Sequence, residues 1–142
     1  YCGRCVRVCP EGSLTLPAED ATFQKSLSEA AAAVLSTFKP GKVIYINFMT
    51  EIQPECDCMP TADTPMLQDQ GIMVSDDIVA IEKATIDMLR KANPLPQSIA
   101  DERECVPGDD VLAMANPKDF MLQVEHARAL GLGSTEYELV EV

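Results

Sequence analysis

The chain has 142 residues, 46% of them apolar, which is enough for one ordinary domain with a hydrophobic core. Its 23 acidic and 11 basic side chains give a formal net charge of −12, which repels the phosphates of nucleic acids and the headgroups of anionic lipids. No apolar run has the length of a membrane span, and no signal peptide is recognisable. We therefore expect a cytoplasmic protein without nucleic acid or membrane partners.

The apolar pattern predicts a helix and a strand in the first half of the chain. Apolar residues recur at helical spacing from Phe23 to Phe38, and a Lys-Pro-Gly sequence at 39–41 ends the pattern. A run rich in β-branched and aromatic residues, Val43 to Met49, predicts a largely buried strand. The stretch from Thr50 to Gln70 contains three prolines and predicts an ordered loop.

A second strand and helix are predicted after this loop. Gly71 to Val74 has the pattern of a short strand, and the polar residues Ser75 to Asp77 can cap a helix that carries apolar residues as far as Leu89. The following stretch, Asn93 to Asp110, contains three prolines and predicts irregular structure.

The C-terminal part predicts a last helix and a last strand. The helix is expected from Pro117 or Lys118 to Leu130, with Gly131 as its stop, and the strand from Tyr137 to Val142. This order of elements favours the α/β (or α+β) class, with helices covering a small mixed sheet. We expect a partial cysteine motif at residues 1–17 and an α/β domain at 18–142.

Three closely spaced cysteines open the chain. Cys2, Cys5 and Cys9, followed by Pro10, form the pattern C-x2-C-x3-C-P. This is the bacterial ferredoxin pattern C-x2-C-x2-C-x3-C-P without its first cysteine, so we expect that the chain is a fragment that begins inside the motif. Such spacing lets a compact loop place several thiolates around a 4Fe-4S cluster, with backbone amides turned toward the sulfurs. The motif predicts all three cysteines as ligands of the cluster.

The number of clusters stays open. In two-cluster ferredoxins the last cysteine of the motif binds the other cluster, so Cys2 and Cys5 would share one cluster and Cys9 would bind a second. If there is one cluster, all three cysteines bind it. Zinc or plain buried thiols are the alternative, which is disfavoured because no second C-x2-C or Cys/His element follows at a suitable distance. It also stays open whether this chain alone retains a cluster.

Cys56 and Cys58 form a second cysteine element. In an extended segment alternate side chains share one side, so both sulfurs could bind a metal or cluster. The alternative is a pair of loop thiols that pack as small hydrophobic groups. Asp77 is either a functional carboxylate or a helix cap, and its position before an apolar helix favours the cap.

Several stretches together resemble the iron-sulfur proteins of the domain-of-unknown-function 362 family. They are CGRCVRVCP (Cys2 to Pro10), GKVIYINF (Gly41 to Phe48), CDC (Cys56 to Cys58), GIMVSDDIVAIEKA (Gly71 to Ala84) and GLGSTEYEL (Gly131 to Leu139). The resemblance implies the C-terminal part of a protein in which ferredoxin-type motifs sit beside an α/β domain. It also favours Cys56 and Cys58 as cofactor-binding residues or as neighbours of the cluster.

Asp77 matches the first acidic position of that family's Asp-Pro-Val-Ala-Ile-Asp segment. Glu82 stands where the family usually has a second aspartate, and Ile78 replaces the usual proline. The resemblance therefore keeps Asp77 among the residues of interest, although it supplies no reaction.

Three functions compete at this point. The sequence favours a 4Fe-4S cluster-binding protein that transfers electrons to a redox partner protein or to an upstream domain of the same polypeptide. Its acidic surface suits docking onto basic patches of such a partner. The second hypothesis is a redox enzyme whose α/β site lies near Cys56, Cys58 and Asp77. The third is a structural or zinc-binding interaction domain.

Overall fold

A computed structural model describes residues 4–15, 20–56, 62–116 and 118–142. In chain order its elements are α1 (Arg4–Val8), α2 (Asp20–Leu35), β1 (Tyr45–Met49), β2 (Gly71–Ser75), α3 (Ile78–Leu89), α4 (Ile99–Glu102), α5 (Val111–Ala115) and α6 (Met121–Ala129). Helices accompany a small sheet, so the mixed α/β fold class that the sequence predicts is confirmed. Within the described residues, no helix is long and apolar enough to cross a membrane.

Strands β1 and β2 form an antiparallel pair. The register pairs Tyr45 with Ser75 at one end and Met49 with Gly71 at the other. Side chains alternate across a strand, and here only one face of the sheet packs on α3. Met49 is therefore 2% exposed, whereas its neighbour Phe48 on the opposite face is 67% exposed. The prediction of a largely buried strand is wrong in this respect, because the described residues leave the second face of the sheet uncovered.

Helix α3 joins the sheet to the rest of the core. Ile81 is 1% exposed and packs beside Met49 and Met73 under the sheet, while Val79, also 1% exposed, packs against Val124 of α6. The side-chain amide of Asn47 donates to Thr85 Oγ1 at 2.9 Å and to Glu82 Oε1 at 3.2 Å. The apolar side of α3 thus packs on two neighbours, as the sequence pattern of this helix predicts.

Helix α6 packs between α3 and α2, since it contacts both. Ser28 of α2 is 5% exposed, and its hydroxyl donates to the carbonyl oxygen of Gln123 at 2.8 Å. The predicted helix at Phe23 to Phe38 is confirmed as α2, with both ends shifted by about three residues toward the N-terminus.

Short helices occupy places where the sequence predicted loops. Arg4–Val8 forms α1 inside the cysteine motif. The stretch Asn93 to Asp110 contains α4, capped by Ser98, and it ends at Asp110, which caps α5. Each cap is a short polar side chain that accepts a backbone N–H of the first turn.

The two C-terminal predictions have different outcomes. The last helix exists as α6, and Gly131 ends it with a φ of 78°. The amide of Gly131 donates to Arg128 and that of Leu132 to Ala127, a pattern typical of glycine-terminated helices. The prediction of a strand at Tyr137 to Val142 is wrong: alternation favours a strand, but this segment has no backbone hydrogen-bond partner in the described structure.

The hydrogen bond of Ser28 yields the first testable prediction. We expect Ser28→Ala to lower the free energy of unfolding by about 1 kcal/mol, because it removes a buried bond between α2 and α6. Urea unfolding followed by circular dichroism measures the change. Ser26→Ala, on the exposed side of the same helix, is the control and should change stability by less than about 0.5 kcal/mol. Equal losses in the two variants would contradict the role of the bond.

Candidate functional site

Cys9 follows α1 directly and begins a tight turn. The amide of Gly12 donates to the carbonyl oxygen of Cys9 at 3.3 Å, which closes a four-residue turn with Pro10 at its second position. Proline is common at this position of a turn, because its ring fixes φ close to the value that the turn requires. Gly12 has a φ of 59°, a left-handed conformation that glycine adopts at little cost. The turn directs the next residues back toward the sulfur of Cys9.

The sulfur of Cys9 lies among hydrogen-bond donors. Ser13 Oγ is 3.5 Å from Cys9 Sγ, and the backbone amides of Ser13, Leu14 and Glu11 also face the sulfur. These hydrogen bonds, that of the Ser13 side chain first, outweigh desolvation and lower the pKa of Cys9 to about 7. The turn therefore favours the thiolate, which is the form of cysteine that binds metals.

The structure describes the surroundings of only one predicted cluster ligand. Cys2 lies outside the described residues, as does Cys58. Cys5 lies in α1, four residues or about one helical turn before Cys9. Within the described part of the chain, no group of three His, Cys, Asp or Glu residues is placed to hold a metal ion. The assignment of the three motif cysteines as ligands thus stays a prediction.

Cys56 lies at the exposed end of a loop that leaves the sheet after Met49. This loop is held in place by backbone groups: the carbonyl oxygen of Ile52 accepts from the amide of Met66 at 2.8 Å, and that of Pro54 accepts from Asn116 Nδ2 at 3.3 Å. These hydrogen bonds hold the described residues of the loop before Cys56 in place.

Asp77 connects two distant parts of the chain. Its Oδ1 accepts from the amides of Val79 and Ala80 at 2.8 and 2.9 Å, which caps α3. Its Oδ2 accepts from the amide of Ser134 at 2.8 Å. Gly133 packs so closely that a Cβ atom there would lie 1.9 Å from Oδ1. The cap that the sequence favours is confirmed, and the carboxylate also fastens the loop after α6.

Asp77 and Cys56 belong to opposite ends of the sheet. Asp77 follows β2 at the end where Tyr45 pairs with Ser75, whereas the Cys56 loop leaves from the end where Met49 pairs with Gly71. A cleft of about 680 Å³ lies beside β2, and neither residue lines it. The described structure thus does not bring together Cys56 and Asp77, two of the residues predicted for a redox enzyme site; the third, Cys58, lies outside the described residues.

Sequence reasoning missed two features of these sites. Ser13 was not singled out, although a hydroxyl residue that follows a Cys-Pro-x-Gly turn can reach back to the thiol. Gly133 is not singled out either, and no local signal indicates its contact with Asp77. The contact joins residues 56 positions apart, so it depends on the fold.

Fold and cysteine turn together define a mixed α/β protein with a cysteine motif near one end. Residues 7–87, more than half of the chain, match the family described as Domain of unknown function (DUF362). The chain belongs to this family. The matched region includes Cys9, Cys56 and Asp77, whereas Cys2 and Cys5 precede it. Neither the curated proteins nor the solved structures contain a match to the chain.

The role of Asp77 is testable by substitution. We expect Asp77→Ala to lower the free energy of unfolding by about 2 kcal/mol, because it removes a helix cap and the bond to Ser134. Its exposed neighbour is a matched control, and Asp76→Ala should cost less than about 0.5 kcal/mol. Urea unfolding of both variants measures the difference. A similar loss of unfolding free energy in both variants would contradict the role of the cap, because it would show that stability depends only on negative charge near the start of α3.

The lowered pKa of Cys9 predicts a pH profile. We expect the rate at which iodoacetamide alkylates Cys9 in the metal-free chain to rise through about pH 7, because the thiolate is the nucleophile. Cys105 is the internal control: burial and the charge of Asp109 raise its pKa, so its rate should rise at higher pH. Peptide mass spectrometry follows each cysteine separately. Ser13→Ala should move the Cys9 profile toward higher pH, and an unchanged profile would contradict the hydrogen bond.

Proposed function

We propose that this protein binds a 4Fe-4S cluster through Cys2, Cys5 and Cys9 and transfers electrons to a partner protein or to another domain of the same polypeptide. The observation that supports the proposal best is the donor set around Cys9. Thiolates that hold iron-sulfur clusters accept hydrogen bonds from nearby backbone amides. Cys9 has such donors in Glu11, Ser13 and Leu14. When bound, the cluster supplies one-electron redox chemistry.

Under this proposal, the turn from Cys9 to Gly12 and the residues that follow it have two roles. Their amides and the Ser13 hydroxyl stabilise negative charge on the Cys9 sulfur, so a larger fraction of this thiol is ionised at neutral pH than in an ordinary cysteine. Hydrogen bonds to ligand sulfurs also tune the reduction potential of a cluster. Removal of the Ser13 hydroxyl should therefore lower the potential, because the reduced state loses stabilisation of its additional negative charge.

The spacing of the cysteines gives independent support. Cys2, Cys5 and Cys9 with Pro10 follow the ferredoxin pattern, and several further stretches of the chain resemble iron-sulfur proteins of the family to which it belongs. The partner is expected to present a basic surface, because this chain carries a formal net charge of −12. Docking of this kind weakens as ionic strength rises.

Anaerobic reconstitution tests the proposal directly. The chain is treated with iron, sulfide and a small thiol, which can occupy a ligand position that the protein does not fill. We expect iron and sulfide to be retained in equal amounts, a broad absorption at about 400 nm and an electron paramagnetic resonance signal on reduction. Cys9→Ser should lower the iron content strongly, whereas Cys105→Ser, outside the motif, is the matched control and should retain it.

Metal analysis separates the competing functions. Zinc without iron, at about one per chain after anaerobic handling, would contradict the cluster and favour a structural zinc site. A chain that stays colourless and free of iron after reconstitution would also contradict it. Oxygen must be excluded, because clusters are lost to oxidation and the released thiols then oxidise further.

A further inference from the structure

Strand β2 has one free edge in the described structure. It pairs with β1 on one side, and no described strand lies on its other side. A free edge presents unpaired N–H and C=O groups, which can pair with any extended chain that reaches them. Proteins usually cover such an edge, because it otherwise invites aggregation. The structure therefore raises the question of what covers β2.

The last six residues lie along this edge. We call Tyr137 to Val142 the strap; together with Gln70 and most of β2 it lines the cleft of about 680 Å³. The floor of the cleft comes from the core, including Met73 and Ile81, which are 9% and 1% exposed. The strap itself is largely exposed: Leu139 is 56% and Val140 69% exposed. A chain segment and a free strand edge thus face each other across a gap.

The strap runs in the direction that an antiparallel strand needs. The segment that leads into the strap is fixed at the end of β2, where the amide of Ser134 donates to Asp77. The first residue of the strap is fixed further along α3, where the Tyr137 hydroxyl donates to Asp87 Oδ2 at 2.9 Å. Helix α3 starts where β2 ends and returns along the sheet, since Asn47 in the middle of β1 contacts Thr85. The strap follows α3 and is therefore antiparallel to β2.

The tether at Asp87 is well supported. Lys83, one turn earlier on α3, forms an ion pair with the same carboxylate. Burial raises the pKa of Asp87, but the hydrogen bonds from Lys83 and Tyr137 and the charges of Lys83 and Lys91 outweigh it and lower the pKa below the ordinary value. The bond to Asp87 also raises the pKa of Tyr137. Both shifts keep the tether intact at neutral pH.

The side-chain pattern of the strap matches that of β2. Tyr137 faces α3, so alternation places Leu139 on the same side, which is the side of Met73. Val140 then falls on the opposite side together with Val74, which is 62% exposed. The strap lines the cleft together with Gln70 and residues 72–75, and antiparallel pairing between the two stretches keeps this alternation.

We propose that the strap closes on the free edge of β2 as a third, antiparallel strand, and that this closure shuts the cleft. The described conformation is the open one, in which the tethers at Asp77 and Asp87 hold the strap beside its docking place. Closure gives hydrogen-bond partners to the backbone groups at the free edge of β2. The strap thus controls access to the cleft and protects the edge from other chains.

Hydrogen exchange of the full chain tests the closure. We expect the amides of residues 138–142, and those β2 amides that point away from β1, to exchange at least roughly tenfold more slowly than in an unstructured peptide. Alternate amides of a strand point to its partner, so one of the two variants Val140→Pro and Glu141→Pro, both at exposed positions, removes a bond to β2 and should abolish this protection. Val140→Ala is the matched control and should retain it; the high exposure of Val140 makes both of its variants compatible with folding.

Three outcomes would overturn the proposal. The first is exchange of the strap amides in the wild-type chain at the rate of an unstructured peptide. The second is unchanged protection of β2 in both Val140→Pro and Glu141→Pro. The third is protection that grows with protein concentration, because the edge would then be covered by a second copy. Tyr137→Phe adds an independent measure, since loss of the hydroxyl tether should reduce protection several-fold while the amides of β1 stay unaffected.

Discussion

The carboxylate of Asp77 accepts backbone N–H groups from two parts of the chain that are more than 50 residues apart, Val79 and Ala80 on one side and Ser134 on the other. Much of the described structure depends on it. The cap fixes where α3 begins, and α3 carries the contacts to both strands and to α6. The bond to Ser134 fixes the course of the chain after α6, which requires Gly133 because no larger residue fits against the carboxylate. The stretch Gly71 to Ala84, which lies within the matched family region, and the stretch Gly131 to Leu139 therefore meet at one side chain.

Local signals predict most of the fold. The long helix α2, both strands and α3 follow from apolar spacing, and the cap at Asp77 follows from its place before an apolar helix. The short helices α4 and α5 were missed, although Ser98 and Asp110 are the kind of residue that caps a helix, because the prolines between 93 and 110 favour irregular structure. The strand at 137–142 was predicted wrongly for a different reason. Alternation shows that a segment can form a strand, but pairing depends on a neighbour that only the fold supplies.

The sequence likewise predicts only part of the candidate site. Cysteine spacing identifies the motif, because a cluster requires several thiolates within a short loop. It does not reveal the environment of each sulfur. The donors around Cys9 depend on a turn in which Pro10 and Gly12 set the backbone, and the hydroxyl of Ser13 completes it. The proposed grouping of Cys56 with Asp77 came from resemblance and not from spacing. Resemblance identifies residues without saying that they meet, and here one belongs to a loop and the other to a helix cap at the far end of the sheet.

The acidic composition also has a partly structural origin. At least seven of the described aspartates accept a hydrogen bond from a backbone amide, Asp69 from the distant Glu51 and the other six in a turn or cap: Asp63, Asp77, Asp101, Asp109, Asp110 and Asp119. Short carboxylates suit such positions, so these charges serve the fold. A basic redox partner would instead meet the longer, exposed glutamates. Glu136, Glu138 and Glu141 lie in the strap or just before it, and no basic residue follows Arg128. Closure of the strap would therefore move part of the negative surface, so that docking and the state of the cleft would depend on the same six residues.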